Sequence, residues 1–346
     1  MRQPGLGRGG STNIVVPRLS HPSRSCAKLS LVNSSLADAV RLVRTSLPHV
    51  ASALGETLVL LRGLREAGVG EVDAWMSDWL GEDFDARIAR VPRSHGDARD
   101  PFGLDPEWVK RTLAVVGLLH RNYFRTEVFG RENLPEGRVL LIANHSGQIP
   151  IDGALIGAAM FMDMEPPRFV RAMVERWSQS LPFVATFFSR VGQVVGIPEN
   201  AKELLERDEA LLVFPEGVRG ISKPFSKRYQ LQDFGLGFMR LAIETGTPIV
   251  PVAVIGGEEQ YISLANFGNI GKMVGLPSLP VIPQLLVPGG QLPLPTRYRL
   301  HFGKPMQFAG DHEDEDAVMR IKVEQVRAEL SRMIAHGLEA RTSIFF

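Results

Sequence analysis

The sequence predicts an α/β fold: a mainly parallel sheet flanked by helices, with an N-terminal helical extension and a C-terminal helix. Two observations carry this. From about residue 105 onward, short strand-like apolar runs alternate with segments of helical length, the pattern of a layered parallel sheet. No repeat of 20 to 50 residues is visible, which sets solenoids and propellers aside. At 346 residues the chain is long enough for one large core or two small domains.

Residues 1–32 scatter basic side chains through Gly, Ser and Pro and hold no apolar stretch of signal-peptide length, so they read as a flexible tail. Gly5, Gly7 and Gly10 match a GxGxxG spacing, but no strand precedes them and no helix pattern follows, so the dinucleotide reading fails on context. From Asn33 to Leu64 apolar residues recur at three-and-four spacing, which predicts amphipathic helix broken or kinked at Pro48. Short helices and a linker complete a region spanning 33–104.

The α/β domain is expected over 105–310. Asp105, Pro106 and Glu107 make a helix start, with a side-chain acceptor at the cap, proline in the first turn and an acid at the positive dipole end. Helix is expected to run on to Phe124. Strands follow over 138–143, 168–173, 192–197, 210–214, 248–255 and 298–303. Helices are expected between them over 152–162, 178–189, 199–207 and 233–245. Residues 311–346 form the C-terminal helix, with the acids of DHEDED at its start.

Composition excludes several classes. Lysine and arginine number 39 against 38 aspartates and glutamates, a balance that predicts no nucleic-acid partner and no solvated, disordered chain. Cys26 is the single cysteine, which excludes an intrachain disulfide and cysteine-rich metal sites and fits a reducing compartment. The eight histidines show no ligand spacing, so no metal is expected.

The chemistry concentrates at two strand ends. NHSGQIPID (144–152) places His145 and Asp152 in the loop between a strand and the next helix, where open α/β sheets bind ligands. A carboxylate bonded to one imidazole nitrogen orients the other to take a proton. The same pair also suits a structural role, His145 on a loop carbonyl and Asp152 capping the helix. FPEGVRG (214–220) then ends an apolar strand with Glu216, Gly217 and Arg219, groups that a buried strand would not tolerate but a polar site would use.

Together the two boxes resemble the glycerolipid acyltransferases, whose hallmarks are NHxxxxD and FPEGxR; the resemblance covers roughly 105–310. It implies that His145 removes the proton of an acceptor hydroxyl, that Asp152 holds the imidazole, and that the hydroxyl attacks the thioester of acyl-coenzyme A or acyl carrier protein. It further implies that Glu216, Gly217 and Arg219 line the acceptor site. With no metal expected, no cofactor is predicted beyond the acyl donor. Ser146 and the Gly147 backbone are candidate oxyanion donors. Two departures stand out. His145 and Asp152 are separated by six residues rather than four, similar to the bacterial subgroup related to mono- and diacylglycerol acyltransferases. In GQVVGIPENA, Pro198 stands where the family places a phosphate-binding basic residue, which shifts the expected acceptor toward a neutral glyceride or another lipid alcohol. Lys223, Lys227 and Arg228 are the candidates to compensate by meeting a phosphate or headgroup.

Membrane contact is expected too. Residues 273–296 are uncharged and carry six prolines, enough to deny a spanning helix its hydrogen bonds, so a loop on or dipping into one leaflet is expected, or one packed over the sheet. The expected location is peripheral or monotopic at the cytoplasmic face of a membrane. A lipid ester hydrolase is disfavoured because no GxSxG occurs, and a P-loop because FGNIGKM lacks the second glycine and the hydroxyl residue. A non-catalytic lipid-binding or scaffold protein on the same fold is the competing reading; it needs an apolar groove but not both polar boxes.

Overall fold

The computed structural model describes residues 69–91, 100–176, 178, 183–267, 279–286 and 290–345, with residues 41 and 55 as isolated positions. The expected tail over 1–32, with Cys26 and its glycines, and nearly all of the helical pattern over 33–64 lie outside the described residues. So do 273–278 and 287–289 of the proline-rich stretch.

Among the described residues seven strands form one sheet: β1 (Glu127–Phe129), β2 (Val139–Ala143), β3 (Val170–Val174), β4 (Val194–Val195), β5 (Ala210–Val213), β6 (Ile249–Ile255) and β9 (Arg299–Phe302), in the order β1-β9-β6-β2-β5-β3-β4. All neighbours are parallel except β6 and β9. A separate two-stranded hairpin joins β7 (Ala265–Asn266) to β8 (Pro280–Val281).

Central strands β2 and β6 are buried at every residue. That explains their unbroken apolar runs, since a parallel sheet is covered on both faces. Leu141, Leu212, Val252 and Val254 face one side, with Phe124, Ile156 and Met160 over them. Leu140, Leu211 and Ala253 face the other, beneath helices α6 (Pro198–Glu206), α8 (Gly237–Thr245) and α9 (Asp316–Glu339).

Before β1 come α1 (Val69–Leu80), α2 (Phe84–Ala89) and α3 (Pro106–Leu118), whose Asp105 cap accepts from the Glu107 amide at 3.0 Å, as the sequence pattern requires. Helix does continue beyond α3, but as a π-turn over Leu119–Tyr123, closed by the Phe124 amide on the Leu119 carbonyl. Its wider winding seats fully buried His120 against Asp163, Nε2 to Oδ2 at 2.7 Å.

Helix α4 (Ile151–Met162) is apolar almost throughout because the sheet covers one side and α1 to α3 the other. Its end is closed by buried Arg87, which donates to the carbonyls of Phe161, Met162 and Met164. Sequence periodicity missed β1 and the β7–β8 hairpin, since strands of two or three residues carry too little alternation to read.

Candidate active site

β2 ends at Ala143 and β6 runs beside it in parallel. Asn144 extends that pairing with its side chain, donating to the Val254 carbonyl at 3.0 Å and accepting from the Val254 amide at 2.8 Å. The backbone is thereby fixed just where it leaves the sheet, and His145 is the next residue.

The six intervening residues do not keep His145 from Asp152. The loop doubles back through the Ile149 amide on the Gly147 carbonyl and the Ile151 amide on the Ile149 carbonyl, both 2.8 Å. Asp152, in the first turn of α4 and fully buried, then meets His145, Nδ1 to Oδ2 at 2.8 Å. The Ser146 amide donates to the same oxygen at 3.0 Å and the Gly153 amide to Oδ1 at 2.8 Å. A carboxylate so solvated takes the imidazole Nδ1–H, which leaves Nε2 with a free lone pair. The His145 ring stacks on Phe214, centroids 4.0 Å apart at 19°, and its side chain remains 11% exposed. The imidazole is thus held rigidly between a carboxylate and a phenyl face.

The second box sits beside it, after β5. Glu216 is 2% exposed, and main-chain amides occupy both its oxygens: His145 N–H at 3.0 Å and Gln232 N–H at 2.7 Å. Glu216 lines the same cleft as Gly217 and Arg219, and a carboxylate this enclosed also ties the His145 loop to the FPEG turn. Gly217 follows at φ +55°, where a side chain would be strained, and Arg219 is exposed with its guanidinium on the Asp233 carbonyl at 2.9 Å. Both line an open cleft of about 460 Å³ with Glu175, Phe214, Val218, Gly237 and Phe238. His145 is not part of that wall; Phe214 stands between them, lining the cleft and stacking on the imidazole.

The expectation at Lys223 is corrected. It is 4% exposed, and its ammonium lies 2.8 Å from Glu258 and 3.6 Å from Glu216, so no headgroup can reach it. Lys227 is exposed, while the Arg228 guanidinium lies over the Phe225 ring at 4.5 Å. Ser146 does not suit an oxyanion role, since its amide is spent on Asp152 and its hydroxyl is fully buried. Gly147 adopts φ +81° and offers its carbonyl to Gln260.

Sequence reasoning missed GGEEQ (256–260), which follows β6 with three polar residues in a row, all buried. The signal was the one used for FPEG, polar groups directly after a wholly apolar strand. Glu259 receives Arg341 from beyond α9 at 2.9 Å; nothing local in the sequence pairs those two. Burial pushes the Glu258 carboxyl up to about 7, against the pull of Lys223. Raised in the fold above the ordinary carboxylate value, this proton stabilises fully below about pH 4.5. That contribution is lost as pH rises through about 7. The Glu258→Gln variant is therefore expected to lose less thermal stability than wild type between pH 4.5 and 7; parallel melting curves across that range would contradict this.

Among the described residues, no cluster of three or more His, Cys, Asp or Glu side chains is placed to hold a metal, and no helix is long and apolar enough to cross a membrane.

A family model described as Acyltransferase matches residues 125–255, the span holding both boxes. An uncharacterized protein of Mycobacterium leprae is 34% identical over 255 residues, 71% of this chain and 70% of that one. A Gallus gallus protein named as a DGAT1/2-independent enzyme synthesizing storage lipids is 24% identical over 198 residues, 57% of this chain and 56% of its own. The crystal structure of the 1-acyl-sn-glycerophosphate (LPA) acyltransferase PlsC from Thermotoga maritima is similar at TM-score 0.45 and 17% identity, covering 84% of this chain and 99% of that chain.

Proposed function

We infer that this chain, which belongs to the glycerolipid acyltransferase superfamily, moves a fatty acyl group from a thioester donor to the hydroxyl of a neutral glyceride or similar lipid alcohol, with His145 as general base. The observation that carries the reading is the His145–Asp152 contact at 2.8 Å, in a side chain that stays 11% exposed and whose Nε2 has no hydrogen-bond partner among the described residues.

In this mechanism Nε2 accepts the proton of the acceptor hydroxyl as its oxygen forms a bond to the thioester carbonyl carbon. The imidazolium is stabilised by Asp152. Collapse of the tetrahedral intermediate breaks the carbon–sulfur bond, and the sulfur leaves with the proton returned from Nε2, giving ester and free thiol. General-base help of this kind is worth about 10²- to 10⁴-fold in rate, with the remainder coming from holding hydroxyl and thioester together.

The neutral acceptor is supported by the charges along the cleft. Among the described residues Arg219 is its one cationic lining residue and Glu175 its exposed acid, and Lys223 is committed to Glu216 and Glu258. A dianionic phosphate calls for more positive charge than this. The storage-lipid name of the Gallus gallus relative agrees. Contact with the cytoplasmic face of a membrane belongs to the same reading. Leu264, Phe267, Val281, Leu285 and Leu286 are exposed around the β7–β8 hairpin, and Ile149 is exposed on the His145 loop itself. Such a group of apolar side chains suits a lipid interface.

The test is to incubate the purified protein with labelled acyl-coenzyme A, and separately with acyl carrier protein, against monoacylglycerol, diacylglycerol, a long-chain alcohol and lysophosphatidate. Labelled ester of a neutral acceptor is the expected product; ester formed from neither donor, or release of free fatty acid alone, would sink the reading. Within the same assay Glu175→Lys is expected to raise the preference for lysophosphatidate over monoacylglycerol about tenfold, a change of ~1.4 kcal/mol. An unchanged ratio would remove Glu175 from acceptor selection.

A further inference from the structure

Gln260 has no part in the mechanism above, yet it is fully buried beneath the His145 loop and all of its side-chain polar atoms are engaged. Its Nε2 donates to the Gly147 carbonyl at 2.8 Å and to the Ile149 carbonyl at 3.3 Å. Its Oε1 accepts from the Tyr298 hydroxyl at 2.8 Å, and Tyr298 is itself fully buried at the edge of β9. The two carbonyls, which can only accept, fix which way round the carboxamide sits: both N–H groups face the loop, and Oε1 is left to take the Tyr298 hydroxyl proton. Contact is close enough that a Cβ at Gly147 would fall 1.9 Å from the Gln260 nitrogen.

The two carbonyls that Gln260 holds are the same two that close the tight turns between His145 and Asp152. Those turns are what shorten a loop of six residues enough for the imidazole to reach its carboxylate. Gly147 at φ +81° and Gln148 at φ +66° both adopt left-handed backbone, so the loop's path depends on contacts outside itself.

We propose that Gln260 is a positioning residue for the His145–Asp152 pair, its carboxamide, aligned by Tyr298, fixing the loop by which His145 meets Asp152. This rests on the reading of His145 and Asp152 as the proton-transfer pair.

The test is a double-mutant cycle on purified full-length protein, measuring kcat and KM for the acceptor together with the pH dependence of kcat/KM. Gln260→Met keeps length and removes every polar bond; kcat is expected to fall about 10- to 100-fold, the scale of a displacement near 1 Å, with KM little changed. In an Asp152→Asn background the same substitution is expected to cost almost nothing further, because the alignment that Gln260 serves is already without effect. The acid-side limb of the pH profile, where the general base takes up its proton, is expected to move in Gln260→Met in the same direction as in Asp152→Asn. An equal fold-loss in both backgrounds, or a folded Gln260→Met with wild-type kcat, would overturn the proposal. Should Gln260→Met not fold, Tyr298→Phe carries the same cycle: a kcat loss that vanishes with Asp152→Asn supports it, and an unchanged kcat overturns it. If Asp152→Asn alone matches wild type, the proton-transfer reading has failed, a result distinct from any failure at Gln260.

Discussion

Replacing His145 by alanine is expected to lower acyl transfer by about 10²- to 10⁴-fold while the protein stays folded. The imidazole is the group near the cleft with an unbonded nitrogen and a carboxylate behind it, so no neighbour takes over its proton. Asp152 keeps the amides of Ser146 and Gly153, so removing the ring does not orphan the carboxylate. What stability loses is the imidazole hydrogen bond to the buried Asp152 carboxylate, worth about 1.5–3 kcal/mol, and the stack on Phe214, worth about 0.5–1.5 kcal/mol. Initial rates with labelled donor, alongside thermal melts, check both halves. A folded variant with undiminished rate would remove His145 as base, and a variant that unfolds would show the ring to be structural.

Replacing Lys223 by methionine is expected to cost about 3–5 kcal/mol of stability, the scale seen when one partner of a buried ion pair is deleted. Its ammonium lies between Glu216 and Glu258, and all three side chains are enclosed. Without it two carboxylates face each other in a poorly solvated interior, and one must take a proton or find water. Activity is expected to fall too, because Glu216 holds the His145 amide and a displaced Glu216 loosens the loop. Urea unfolding measures the first effect. Adding Glu258→Gln to Lys223→Met should restore part of the loss by removing one stranded charge; a midpoint equal to wild type for Lys223→Met, or no recovery in the double variant, would show that the cation does not compensate these acids.

NHSGQIPID and FPEGVRG stand out because polar residues interrupt apolar strand ends, a one-dimensional signal that needs no coordinates. The same is true of β2, β5 and β6, whose apolar runs announce a sheet covered on both faces. Glu216 and Lys223 show the limit. Along the sequence they look like groups offered to a ligand, because charge near a loop reads as exposed. Burial adds a second meaning, since an acid that lines the cleft but has its oxygens filled by the amides of His145 and Gln232 also serves the fold, and the enclosed Lys223 ammonium is held by two acids. The helix continuing through 119–123 is similar: the apolar period is there, but the π-turn is set by where His120 and Asp163 meet.

By itself, then, the sequence determined the layered α/β class, the loops that carry chemistry and the residue types able to move a proton, since these depend on local periodicity and composition. Tertiary structure alone decided that a six-residue loop closes His145 onto Asp152, that Gln260 and Tyr298 lie beneath it, and that Arg341 reaches Glu259 across 82 positions of chain. The physical reason is that such contacts join residues far apart in sequence, through hydrogen bonds whose partners are fixed only once the sheet has brought the ends of β2, β5 and β6 side by side.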